Sequence, residues 1–394
     1  MKSFTFFHRI KNRVRLLNSS LKQNALRFYI GDLDKFYNSL RLEGVEYLIL
    51  RWTDNLPKNK QEEELYKDDI DHLISDNEVD VILKLASENP GPVKCDFYSK
   101  SGRAGTTYQG FPYYPPILAD ELMSNRHYEK RGFYRPSNLH EFLAFSYHLC
   151  YHKGLLSGIE SGFESCKPEL FPNKNYFKEF KKLGAQANIN ISDDLSLYKI
   201  HKLLKVHSWD MPLDLMTRWP DQHNFIKQLI KKEIEENKDI LRILDNYTIF
   251  VLRDDCDTVE LEEIAISMIK DRFKIVDIIR LDYHQRKAFL TKTRGGNWFE
   301  KYNLGEVGPS VAIICKNSEN QGPLPSSMSL EKIRKRYPHL ANTDVLIKRE
   351  IRKKLIELQP NRRKIVAIHA TDNSIDTMSC LRALLDPTIF EKLK

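Results

Sequence analysis

The chain has 394 residues, 41% of them apolar and 29% charged, with a formal net charge of +8. This length suggests two or three domains, and the composition excludes a disordered, collagenous or low-complexity protein. No apolar run approaches the roughly 18 residues that a membrane-spanning helix needs. The cysteines form no Cys-x-x-Cys pair, which argues against a disulfide framework and a structural zinc site. Since no signal-peptide pattern opens the sequence, we expect a cytoplasmic protein.

The first 31 residues contain seven Lys or Arg and no Asp or Glu. Apolar residues recur there at three- and four-residue spacing, which predicts an amphipathic helix; they are Phe4, Phe7, Ile10, Val14, Leu17 and Leu21. We expect this apolar stripe to pack on the domain, with peripheral contact to an anionic membrane as the alternative. No basic stripe interleaved with aromatic residues occurs, so no nucleic-acid partner is predicted.

Hydrophobic patterning divides the chain into three regions, 1–135, 136–245 and 246–394. The first mixes helices with strands at 47–52, 71–75 and 93–98, and the second is helical at 139–150, 193–206 and 222–244. The third has strands at 248–252, 275–281, 310–315 and 365–368 and helices at 259–273 and 346–358. The predicted fold class is α/β (α+β), with a mixed sheet first and a ferredoxin-like βαββαβ domain last.

Three carboxylates in the first region form a candidate metal site. Asp69 and Asp71 are two residues apart, so on a strand both side chains point to one face, and Asp96 lies on the next strand candidate. Converging carboxylates are suited to Mg²⁺, which binds oxygen ligands and bridges to nucleotide phosphates. The first two would hold metal, and Asp96 would assist a metal or take a proton from the attacking hydroxyl.

The same residues resemble a known family. Asp69-Ile70-Asp71 with its apolar continuation, and Lys-Cys-Asp-Phe-Tyr-Ser at 94–99, resemble polymerase-beta-like nucleotidyltransferases, especially those found with surface-polysaccharide genes. Phe-Pro-Tyr-Tyr-Pro-Pro at 111–116 and Tyr-His-Leu-Cys-Tyr-His-Lys-Gly at 147–154 extend the resemblance over about 40–220. It implies Mg²⁺, a nucleoside triphosphate as substrate, and a sugar or glycan acceptor.

One segment departs from that family's pattern, and one pair of histidines allows two interpretations. The Gly-Ser turn that usually precedes the Asp pair is absent, and Arg51 is the candidate phosphate contact in its place. His148 and His152 are one helical turn apart, a spacing that can bind metal. We expect them instead to pack near a polar pocket, because no third ligand accompanies them.

The last region resembles a divergent nucleoside diphosphate kinase. His369-Ala370-Thr371-Asp372 resembles that family's His-Gly-Ser-Asp motif, which places His369 at the phosphorylated histidine and Thr371 and Asp372 beside the nucleotide. Arg253 stands at the position of a phosphate-binding Lys, whereas Val366 and Cys380 replace residues that the family uses. Further matches are Asn297-Trp298-Phe299 and the strand at 308–314, and the candidate nucleotide-clamping arginines are Arg349, Arg352, Arg362 and Arg363.

The sequence therefore predicts a Mg²⁺-dependent enzyme that transfers a nucleotidyl or phosphoryl group to a sugar or glycan intermediate in surface-polysaccharide biosynthesis. One alternative is a kinase that acts through His369 alone. Another is a non-catalytic nucleotide-binding protein. The sequence does not identify the nucleotide base. It also does not determine the oligomeric state, for which a homo-oligomer is one alternative.

Overall fold

The computed structural model describes residues 2–164, 166–220, 222–256, 258–293, 308–317, 328–359 and 365–393, with the side chains of 2–5 and 291 excepted. The chain is mixed α/β and forms two compact units: 1–211 with 219–229, and 212–218 with 230–394. The region predicted as a helical domain at 136–245 supplies residues to both units. The division into three domains stays a prediction.

The first unit contains a four-stranded sheet, a two-stranded ribbon and surrounding helices. Its strands are β1 (Leu26–Ile30), β2 (Tyr47–Ile49), β3 (Asp69–Ile74), β4 (Val93–Ser99), β5 (Arg126–Tyr128) and β6 (Tyr134–Pro136). Its helices are α1 (Lys2–Lys22), α2 (Leu33–Leu42), α3 (Lys60–Leu65), α4 (Val79–Glu88), α5 (Pro116–Ser124), α6 (Asn138–Tyr147), α7 (Tyr176–Gln186) and α8 (Leu197–Val206). A π-helical turn, His148–Lys153, continues α6.

The main sheet has the order β1-β4-β3-β2, in which β3 and β4 are parallel and the outer pairs are antiparallel. Parallel neighbours need a crossover connection, and α4 provides it. Apolar residues at three- and four-residue spacing on α2 pack with α4 and the strands to form the core. This packing leaves the opposite face of β3 and β4 for the carboxylates.

The second unit contains an antiparallel sheet with the order β10-β7-β9-β8. Its helices and strands are α9 (Leu213–Met216), α11 (Lys238–Leu244), β7 (Tyr247–Arg253), α12 (Val259–Lys270), β8 (Phe273–Arg280), α13 (Tyr283–Lys292), β9 (Pro309–Asn317), α14 (Leu330–Arg336), α15 (Ile347–Leu358), β10 (Ile368–Ala370), α16 (Ser374–Ala383) and α17 (Ile389–Lys392). Helix α10 (Asn224–Glu236) spans the boundary between the units. The core joins α12 and α15 to the strands.

Several predicted boundaries are wrong. The helix expected at 193–206 begins at Leu197, because the Ser196 side chain caps it by accepting from the Lys199 N–H. The helix expected at 222–244 divides at Asn237 into α10 and α11. The strand expected at 365–368 occupies Ile368–Ala370 instead, after Ala367 adopts a φ of 30°. Asn297-Trp298-Phe299, Arg362 and Arg363 lie outside the described residues.

Helix α1 packs in an orientation that the sequence did not predict. The polar residue Asn12 is buried and donates to Ser87 Oγ at 3.0 Å, while Phe7, Val14 and Leu21 are exposed. The prediction that the apolar stripe packs on the domain is therefore wrong. Within the described part of the chain, no helix combines the length and apolar character needed to cross a membrane.

The six cysteines are all buried.

Candidate functional site

The parallel register of β3 and β4 brings the three predicted carboxylates together. Asp71 lies directly opposite Asp96, and Asp69 lies two residues earlier on the same face of β3. One ligand atom from each falls within 4.8 Å of the others, as the alternation along the strands predicts. Among the described residues, this carboxylate triad is the one group of three or more acidic, His or Cys side chains with metal-binding spacing.

Each carboxylate of the triad is paired with a cation. Lys94 lies opposite Asp69, with Nζ 3.3 Å from Oδ2. Arg27 lies opposite Asp96 on β1 and donates two hydrogen bonds to it, Nε to Oδ1 at 2.6 Å and Nη2 to Oδ2 at 2.5 Å. These pairs fix the carboxylates, and each oxygen still has a lone pair for a further ligand.

The third pair, between Arg51 and Asp71, is buried. Arg51 Nη2 lies 2.6 Å from Asp71 Oδ2, and each side chain is only 9% exposed. Burial raises the pKa of Asp71 to about 6, although the Arg51 charge opposes the shift. By contrast, Lys94 holds the pKa of Asp69 below its usual value in spite of partial burial. The two neighbouring carboxyls therefore differ in how readily they take up a proton.

A cavity of about 200 Å³, here called the triad cavity, opens beside Asp69 and Asp71. Its charged lining consists of three cations (Arg51, Lys153, Lys174) and three carboxylates (Asp68, Asp69, Asp71). Lysine and arginine side chains of this kind hold phosphate groups, and the carboxylates suit a divalent metal. The cavity thus combines the two kinds of group that a metal–nucleotide complex needs.

Histidines of the π-helical turn line the same cavity. His148 Nδ1 is hydrogen-bonded to the Tyr113 hydroxyl at 2.8 Å, as expected for a histidine packed near a polar pocket. Burial, followed by the Arg51 charge, lowers the pKa of both His148 and His152 well below the usual value, so both are neutral at pH 7. π-Helical turns occur frequently at functional sites.

The triad cavity also contains buried polar atoms without a hydrogen bond of good geometry. They are Nη1 of Arg51 and both ring nitrogens of His152. Leaving such atoms unsatisfied costs roughly 1–3 kcal/mol each, and the side chains that carry them line the cavity.

Trp52 lies in the turn that follows Arg51, just after β2. Its backbone is left-handed, with φ 59° and ψ 28°, and this conformation costs a residue with a side chain on the order of 1–3 kcal/mol. The indole offsets that cost by packing edge-on against Phe145 and Tyr176, at ring distances of 5.5 and 5.9 Å. Lys174 Nζ lies 4.9 Å from the centre of the same ring. The turn thereby positions Arg51 and Lys174 together.

A second cavity of about 450 Å³ lies beside Asp96, and we call it the helix-side cavity. Arg15, Ser19 and Lys22 of α1 line it together with Arg27 and Asp96. Tyr98 and Tyr108 line both cavities. The carboxylate triad therefore faces two cavities, with Asp69 and Asp71 at one and Asp96 at the other.

His72 supports the backbone of the triad from the core side of the sheet. With the proton on Nδ1, it donates to the Asp96 carbonyl at 3.3 Å and accepts from the Tyr37 hydroxyl through Nε2 at 3.1 Å. Burial lowers the pKa of His72 to about 4, so the ring stays neutral at pH 7. His72 is a positioning residue for Asp96.

Sequence reasoning missed several residues of this site. Lys94 could have been found, because it precedes Asp96 by two residues and so shares its face of the strand. Lys153 lies in the segment 147–154 that carries part of the resemblance, but it was assigned no role. Arg27 and Lys174 gave no local signal, since only the assembled fold brings them to the carboxylates or the triad cavity.

The predicted site residues of the second unit are only partly brought together. His369 is half-buried and pairs with Val251 across β10 and β7, and Arg253 lies two residues further along β7. Arg253 itself is 1% exposed. Arg352, a candidate nucleotide clamp, donates through Nε and Nη2 to the Ile368 carbonyl at 2.9 and 2.6 Å.

The remaining two motif residues hold the fold of this unit. Thr371 Oγ1 accepts from the Ile249 N–H at 3.0 Å, which ties the end of β10 to β7. Asp372 forms ion pairs with Lys348 at 3.0 Å and Arg218 at 3.5 Å. Both side chains therefore have structural contacts that a nucleotide would have to share or replace.

Comparisons with known proteins give no match. No family model, curated protein or solved structure is significantly similar to the chain. The residues of the two units are therefore the basis on which a function has to be argued.

Proposed function

We propose that this protein is a Mg²⁺-dependent transferase that uses a nucleoside triphosphate and passes a nucleotidyl or phosphoryl group to a sugar or glycan acceptor. The observation that carries the proposal is the carboxylate triad beside a cavity lined by Arg51, Lys153 and Lys174. The mixed sheet with two aspartates on β3 and one on β4 supports the nucleotidyltransferase-like fold expected from the sequence.

The donor set fits a hard divalent cation. All three triad residues offer carboxylate oxygens, the ligands that Mg²⁺ prefers, and Asp71 is buried where an added positive charge would be favourable. Asp69 and Asp71 would hold the metal, with Asp96 as the third ligand. A bound Mg²⁺ would neutralise charge that develops on the transferred phosphorus group.

Side chains of the protein would bind the phosphates and accept the proton of the acceptor hydroxyl. Arg51, Lys153 and Lys174 would hold and orient the phosphates in the triad cavity. As the alternative to binding metal, Asp96, fixed by Arg27, would take the proton of an acceptor hydroxyl in the helix-side cavity that it faces. The basic residues of that cavity favour an acceptor that carries negative charge.

The charge of the triad cavity predicts cooperative binding. With both histidines neutral, its three cations and three carboxylates sum to zero. We therefore expect Mg²⁺ alone to bind weakly, while Mg²⁺ raises the affinity for at least one ribonucleoside triphosphate by roughly tenfold or more. Isothermal titration calorimetry of each nucleotide, with Mg²⁺ and with EDTA, measures this. Binding of no nucleotide under either condition would contradict the proposal.

The Mg²⁺-dependent affinity for the nucleotide should change with pH, because Asp71 takes up a proton as the pH falls. This carboxyl has a pKa of about 6, so it is deprotonated and able to bind metal above that value and protonated below it. At about pH 5 only roughly a tenth of the sites carry the charge, so the metal-dependent affinity should fall about tenfold from its value at pH 7.5. An affinity that does not change over this range would remove Asp71 from the ligand set.

For the second unit, we propose a ferredoxin-like, nucleoside-diphosphate-kinase-like domain. The antiparallel order β10-β7-β9-β8, with α12 in the first connection and α14 and α15 in the last, supports this. If His369 accepts phosphate, incubation with γ-labelled ATP or GTP should give an acid-labile, base-stable label that His369→Ala abolishes.

His284→Ala is the matched control, because His284 is exposed on α13. The control variant should keep the label. A folded protein that never becomes labelled would leave this domain as a binding domain and exclude the alternative of a kinase that acts through His369.

A further inference from the structure

The amphipathic helix α1 presents its apolar side to solvent. The described members of its stripe, together with Phe6, are between 49% and 84% exposed; they are Phe7, Ile10, Val14, Leu17 and Leu21. Single exposed apolar residues are ordinary on protein surfaces, but a continuous row along about four helical turns is not. Such a row indicates that another apolar surface covers this side of the helix.

The opposite side of α1 holds the helix on the first unit. Asn12 is 2% exposed and donates to Ser87 Oγ on α4, and Leu16 packs against the core of the unit. At roughly 100° per residue, Asn12 lies almost diametrically opposite the centre of the apolar stripe. The outward orientation of the stripe is therefore fixed by the packing of the helix.

Basic residues flank the stripe on both edges. On a helical projection Arg13 lies along one edge, and Lys11 and Lys22 lie along the other. No acidic residue occurs anywhere in α1. Long basic side chains beside an apolar stripe can reach lipid phosphates while the stripe lies in the boundary between headgroups and acyl chains.

A second copy of the chain would fit this surface less well. The 3-4-3-4 spacing from Phe7 to Leu21 could form a coiled-coil seam, whose flanking positions are occupied by Lys11 and Arg13. Two copies would bring these like charges together without any acidic partner on the helix. Charge complementarity thus favours an anionic surface over self-association.

We propose that α1 docks this protein on an anionic lipid surface, lying flat with its apolar stripe inserted. Arg15, Ser19 and Lys22 of the same helix line the helix-side cavity. Docking therefore places that cavity on the far side of α1 from the bilayer, about one helix diameter away. The inference rests on α1 alone and holds whether or not the proposed transferase activity does.

Vesicle sedimentation of the full chain tests the proposal. The protein should bind phosphatidylcholine vesicles that contain about 30% phosphatidylglycerol, and bind pure phosphatidylcholine at least tenfold more weakly. Leu17→Glu should lower binding to the anionic vesicles by tenfold or more, because it removes inserted apolar area and adds a negative charge. The exposed position of Leu17 means that this variant keeps the fold.

The matched control is Leu42→Glu, which makes the same change at an exposed leucine on α2 and should bind as the wild type does. Replacing Lys11 and Arg13 by Gln should weaken binding and reduce its salt dependence. Wild-type protein that does not sediment with anionic vesicles, or Leu17→Glu that binds unchanged, would overturn the proposal. A dimer seen by light scattering that Leu17→Glu dissociates, without vesicle binding, would assign the stripe to a second copy.

Discussion

Replacement of Asp69 by Asn should lower metal-dependent turnover of the nucleoside triphosphate by on the order of 10³ or more. The variant keeps the shape of the side chain but loses one ligand charge of the carboxylate triad. The substitution should lower the free energy of unfolding by less than about 1 kcal/mol, because Asp69 and its partner Lys94 are both partly exposed. Steady-state release of pyrophosphate or phosphate, with a thermal unfolding curve, measures both quantities.

The matched control for this prediction is Asp80→Asn. Asp80 is an exposed carboxylate at the start of α4, on an element of the same unit but outside both cavities. It should retain full turnover. If Asp69→Asn retains turnover as well, the carboxylate triad is a structural ion-pair cluster and catalysis has to be sought in the second unit.

Replacement of Arg51 by Met should destabilise the protein by roughly 3–5 kcal/mol near pH 8. The substitution leaves the Asp71 carboxylate buried without its cation, and an uncompensated buried charge has a cost of that size. Equilibrium unfolding in denaturant measures the free energy. A comparison with Lys84→Met separates burial from charge loss, because Lys84 and its partner Glu43 are 45% and 44% exposed and loss of this pair should cost much less.

The pH dependence of the Arg51→Met variant gives a second test with a definite sign. The pKa of Asp71 is already raised to about 6, and loss of the Arg51 charge raises it further. A carboxyl with a folded-state pKa above its unfolded value stabilises the fold when protonated and loses that contribution as the pH rises. The destabilisation should therefore be smaller near pH 5 than near pH 8. An equal loss at both pH values would show that packing, not charge, dominates.

Two ion pairs of the carboxylate triad form across strands that are distant in sequence. Asp69 meets Lys94 because β3 and β4 are parallel in a particular register, and Asp96 meets Arg27 because β1 is antiparallel to β4. A shift of one residue in either register would turn these side chains to the opposite face. The ion pairs thus report on the register of the sheet as well as on the site.

The sequence by itself determined the local features of this protein. Period-two alternation placed Asp69 and Asp71 on one face, and the apolar run after them identified β3. The order of strands and helices after residue 246 indicated an α/β unit. These features depend on residues within a few positions of each other, where backbone geometry alone fixes the directions of side chains.

Only the tertiary structure decided which face of a helix is buried and which distant residues meet at the site. The amphipathic pattern of α1 predicted a helix correctly, but in the folded unit Asn12 faces inward, bonded to Ser87, and the apolar side faces outward. Likewise, no local pattern could assign Arg27 to Asp96 or Lys174 to the triad cavity. Periodicity shows that a helix has two faces, but which face is buried depends on the free energy of contacts with segments tens of residues away.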